Sequence, residues 1–114
     1  MLIRSQDKKT LINLRNIESI DIIGYKVEGT ISTQDEENAN TWYIAYSGCG
    51  KMLFIGQYST EVKAIKVLDM IQEHYLEYYF VQGGQMATSS AVFQPFGFIP
   101  PKIFHMPTDE EVEV

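Results

Sequence analysis

From Ser59 to Gln82 the chain runs without a Gly or a Pro, and this stretch limits the fold more than any other feature. Ala64, Val67, Leu68, Ile71 and Tyr75 recur at helical spacing, which places them on one stripe of an α-helix. Lys63, Lys66, Asp69, Gln72, Glu73 and Glu77 fall mainly off that stripe. Ser59 or Thr60 suits the N-cap, and Glu61 stands near the positive end of the helix dipole. Gly83-Gly84 is the expected stop. A helix of about twenty residues is about 30 Å long, enough to cover a sheet from edge to edge.

The residues ahead of this helix repeat with period two, the strand signal. Leu2-Ile3-Arg4 and Thr10 to Leu14 flank a polar turn, Gln6-Asp7-Lys8-Lys9. Ile20 and Ile22 then oppose Ser19 and Asp21. Gly24 permits a bend, after which Tyr25, Val27 and Ile31 alternate with Lys26, Glu28, Thr30 and Ser32. Gln34 to Asn40 is a polar loop. Thr41 to Tyr46 and Lys51 to Tyr58 read as a hairpin closed by Ser47-Gly48-Cys49-Gly50, whose glycines suit positive φ. Both faces of that hairpin carry large side chains, so it is expected at the sheet centre or covered on both sides. The expected class is α+β. An antiparallel sheet of about five to six strands, with a partly open barrel as its variant, packs on one long C-terminal helix and is followed by an extended apolar arm. The corresponding organisation is a sheet-plus-helix domain over 1–82 and an arm with an acidic end over 83–114.

The arm contains Val92, Phe93, Phe96, Phe98, Ile99, Ile103, Phe104 and Met106, too many apolar groups for a solvated tail. Burying each stabilises by about 1.5–3 kcal/mol, while ordering each backbone costs about 1–2 kcal/mol. The two totals are comparable, so the arm needs another surface to hold a shape. Packing back on its own sheet and crossing to a second copy both satisfy that need. Tyr75, Tyr78, Tyr79 and Phe80 exceed what one helix stripe buries, and with Phe93, Phe96, Phe98, Ile99 and Phe104 they form the expected interface. Gly83, Gly84, Thr88, Ser89 and Ser90 are candidate contacts for a small anion through N–H groups and hydroxyls, beside their reading as a linker.

Catalytic equipment is not expected. Gly48-Cys49-Gly50-Lys51 has Ala45 where a phosphate-binding loop needs its first Gly and Met52 where it needs Ser or Thr. Cys49, His74 and His105 are too scattered for a zinc site, and neither histidine has a catalytic role on spacing. No metal or cofactor is therefore expected. The net charge of −6 opposes direct binding to nucleic acid or an anionic membrane. Asp35, Glu36, Glu37, Asp109, Glu110, Glu111 and Glu113 supply seven of the fifteen acids, leaving eight against nine bases. One cysteine, no secretory pattern and no long apolar run point to the cytoplasm.

Three segments carry a resemblance: Ile3 to Leu11, Leu53 to Glu61 running into Ala64–Ile71, and Phe104-His105-Met106-Pro107. Together they resemble small uncharacterised proteins of Gram-positive bacteria and their phages or prophages. The order of elements is also similar to pleckstrin-homology-like domains. The first resemblance implies a phage-linked, anti-defence setting. The resulting expectation is a non-enzymatic binding protein that self-associates through its arm and sequesters a small nucleotide-like ligand or occupies a host protein. The alternative is a monomeric inhibitor of a host nuclease that uses acidic loops, with Asp35, Glu36 and Glu37 as the contact.

Overall fold

Short turns with positive φ shape the main sheet. β3 (Ser19–Glu28), β4 (Ile31–Gln34), β5 (Thr41–Gly48) and β6 (Lys51–Tyr58) pair antiparallel in the order β4-β3-β5-β6. Gly29, at φ 61, opens the β3–β4 turn, while Cys49 at φ 52 and Gly50 at φ 76 make the β5–β6 turn. Two successive positive φ values match the twist of a tight hairpin. The computed structural model describes residues 1–88 and 103–113, with the helix side chains through Leu76. A second sheet holds β1 (Leu2–Arg4) between β2 (Leu11–Asn13), antiparallel, and β7 (Ile103–His105), parallel. The helix α1 spans Glu61–Thr88.

The class is α+β, but three expectations change. The single sheet of five to six strands is two sheets, of three and four strands, and neither closes into a barrel. A single 3-10 turn at Leu14–Asn16, with the Asn13 side chain accepting from the Arg15 N–H, separates β2 from β3. The long C-terminal helix is also corrected. Its described side chains cover 61–76, and the chain continues past it to β7, which joins β1. Gly24 does not bend the chain; β3 runs straight through it. Its cross-strand partner is Trp42, and a Cβ at Gly24 would lie 2.8 Å from the indole and 2.9 Å from Ala39. The glycine makes room for a ring and for the loop that crosses there.

The helix starts where the sequence suggests. Thr60 caps it, its Oγ1 accepting from the Lys63 N–H at 3.2 Å. Ala64, Val67 and Ile71 then turn into the core against Ile44, Ile55 and Tyr58 of the main sheet and Ile3 and Ile12 of the small one. Phe104, Met106 and Val112 complete the same cluster from the other end of the chain. Gly56 keeps a place for them: a Cβ there would meet Met106 Cε at 2.9 Å.

Candidate binding face

Strand parity divides the main sheet into two unlike faces. Trp42, Ile44 and Tyr46 of β5 pair with Gly24, Ile22 and Ile20 of β3 and face the helix and core. Tyr43 and Ala45 therefore point the other way, as do Ile23, Tyr25 and Val27. On β6 a bulge intervenes. Ile44 pairs with Gly56 but Ala45 pairs with Phe54, so Ile55 is the extra residue. Its side chain enters the core, and its carbonyl accepts from the Gln6 N–H at 2.8 Å, linking the two sheets. The same slip moves Phe54 and Met52 to the outer face.

Phe54 arrives beside two tyrosines. Its ring stacks on Tyr43 at 4.6 Å between centroids and 21° between planes, while Tyr25 meets Tyr43 and Phe54 edge-on at 5.3 and 5.7 Å. Such pairs stabilise by about 0.5–1.5 kcal/mol beyond burial. Ala45 beneath them is 1% exposed, yet Phe54 remains 41% exposed and Met52 54%. A cavity of about 180 Å³ flanks the cluster, walled by Ser5, Gln6, Asp7, Tyr43, Phe54 and Gln57. The Gln6 side chain exchanges hydrogen bonds with the Gln57 backbone at 2.9 and 3.0 Å, closing the free edge of β6.

Charge is sparse on the strands of this face, with Asp7 at its rim in the cavity wall. Asp21 is the one ionisable acid or base whose strand position points outward, and it accepts from the Ser19 hydroxyl at 2.8 Å. The Lys26–Glu28 pair, 3.1 Å apart, has the opposite parity. Ala39, just past the acidic loop, lies over Gly24 on the helix side. Asp35 is turned inward on that loop, accepting from Asn38 Nδ2 at 3.1 Å and the Glu37 N–H at 3.2 Å. The Asn38 side chain, followed by its N–H, holds the Asp35 carboxyl below its ordinary value.

The acidic end is likewise engaged in structure. Asp109 Oδ1 accepts from the Ser59 N–H at 2.8 Å and the Ser59 hydroxyl at 3.1 Å, and Lys63 Nζ donates to the Asp109 carbonyl at 2.9 Å. The Ser59 N–H is the main cause that lowers the Asp109 pKa. Lys66 Nζ donates to the Glu113 carbonyl, and Glu111 accepts from the Thr108 N–H and hydroxyl, each at 3.0 Å. Tyr58, 1% exposed, donates to the Pro107 carbonyl at 2.7 Å. Burial, then the charges of Asp109 and Glu111, pushes its phenol pKa upward. A polar notch of about 330 Å³ remains between Gln6, Asn40, Thr41, Tyr58, Ser59 and Asp109.

The residues singled out by sequence disperse. Tyr75 is exposed and edges an apolar groove of about 310 Å³ with Leu14, Ile20, Leu68, Ile71 and Gln72. Phe104 lies in the chain's own core, 6% exposed, with its ring 5.5 Å from that of His74. Phe93, Phe96, Phe98, Ile99, Ser89 and Ser90 lie outside the described residues, as do the side chains of Tyr78, Tyr79 and Phe80. Gly83 and Gly84 do not stop the helix as expected; with Thr88 they belong to its backbone. Cys49 is exposed in the β5–β6 turn, His74 lies against Phe104, and His105 ends β7. Among the described residues no group of His, Cys, Asp or Glu could hold a metal, and no helix is long and apolar enough to cross a membrane. Sequence reasoning missed the cluster of Tyr25, Tyr43 and Phe54. Parity alone pairs the two tyrosines; only the bulge brings Phe54 to them.

No family model, curated protein or solved structure matches the chain.

Proposed function

We propose that this is a non-enzymatic binding protein whose working surface is the outer face of the four-stranded sheet, and that what it binds is a polypeptide. One observation carries the reading: Tyr25, Tyr43 and Phe54 cluster on a face left bare by the helix and nearly free of charge. Aromatic enrichment with charge depletion marks the centres of protein interfaces. A sequestered nucleotide fits less well. The rings spend their faces on one another, and no Lys or Arg has outward parity to meet a phosphate. Inhibition of a nuclease through the acidic loops has less support, because the Asp35 carboxylate is bonded within its own loop and that of Asp109 to Ser59. The phage-linked setting is supported by the resemblance of the three segments.

Native mass spectrometry of the protein purified from cells tests the surface. The wild-type chain should carry a bound polypeptide that the doubly substituted Tyr43→Ser, Phe54→Ser chain has lost, while far-UV dichroism stays the same. An identical set of assemblies in both samples would count against the proposal.

A further inference from the structure

We infer that the polypeptide covering this face is a second copy of the chain, packed sheet against sheet about a two-fold axis. The inference rests on the binding-face reading and adds the identity of the occupant. Charge selects it. Each copy carries −6, so two copies repel through most of their surfaces. The outer face is where that penalty is smallest: Asp21 is its one charged strand residue and is bonded to Ser19, and Asp7 stands at its rim beside Tyr43 and Phe54. A basic partner would instead be met by carboxylates, and this face offers almost none. A two-fold axis lets one patch serve both copies, and the rings of Tyr25, Tyr43 and Phe54 share this face with Ile23, Val27, Ala45 and Met52.

Geometry sets the strength. Four strands about 4.8 Å apart and about eight residues long present roughly 500 Å² in projection. A stable pair commonly buries about 800 Å² per partner. The face falls short of that value, so the dimer forms reversibly rather than as an obligate unit. Two sheets stacked this way lie about 10 Å apart, close enough for Phe54 and Tyr43 of each copy to interdigitate. Among the described helix side chains, Lys66, Asp69 and Glu73 interrupt the exposed Val62, Ile65 and Met70.

Sedimentation equilibrium of the full chain, run between about 1 µM and about 1 mM, tests it. The apparent mass should climb from 13.1 kDa toward twice that value. Phe54→Lys and, separately, Met52→Lys place facing charges in the contact and should weaken association at least about 100-fold. Both sites are solvent-exposed, so the Met52 variant serves if the Phe54 one fails to fold. Val62→Lys, on the exposed helix surface, should associate as the wild type does. A wild-type chain that stays monomeric at the highest concentration overturns the dimer. The binding face itself then survives only if a different polypeptide co-purifies with wild type and is lost with Phe54→Lys. Dimers that persist in both lysine variants overturn the dimer face and the binding-face reading together.

Discussion

Gly24 shows how one missing Cβ decides where other groups go. Its backbone needs no special φ; what it supplies is room for Trp42 and Ala39. Gly24→Ala should therefore cost about 1–3 kcal/mol by overpacking, seen as a lower urea midpoint with an unchanged slope. Asp109 acts by charge. Its pKa is depressed from 3.8, so its contribution is complete above that value and is lost as the pH falls through the lower, folded-state pKa. Asp109→Asn should cost up to about 1 kcal/mol at neutral pH, through the lost charge beside Lys63. The wild-type advantage should shrink in acid, which thermal melts at neutral pH and near pH 3 would compare. A constant difference between the two chains would contradict that role.

Among elements, the helix and the terminal strand meet at His74 and Phe104. The His74 ring lies against Phe104 and its Nε2 is buried without a partner among the described residues. Packing, rather than proton transfer, is what that position rewards, so His74→Phe should keep or raise stability by up to about 1 kcal/mol. Calorimetry would show a melting temperature equal to or above wild type; a clear fall would mean the imidazole makes a polar contact that matters. Elements also differ in how readable they were. The helix stripe and the β5–β6 turn are local, and residues 59 to 71 or 47 to 51 contain all the physics that forms them. The partition into two sheets was not readable, because β1 pairs with β7 about a hundred residues away. Nor was Phe54's side of the sheet: alternation alone places it with Gly56 and Tyr58, and a bulge at Ile55 reverses that. The apolar content of Phe104 and Met106 did announce a need for burial, without saying where it would be met.

At the scale of the molecule, the arrangement is one-sided. Helix, small sheet and terminal segment gather on one face of the main sheet, along with the acidic end. The opposite face keeps the aromatic cluster and little charge. That asymmetry, more than any single side chain, is what argues for association. The most direct test follows amide chemical shifts of the full chain as its concentration is raised. Concentration-dependent shifts should centre on Tyr25, Tyr43, Met52 and Phe54, with Val62 and Ile65 unmoved. Shifts confined to the helix, or none at any concentration together with no bound polypeptide, would contradict the account.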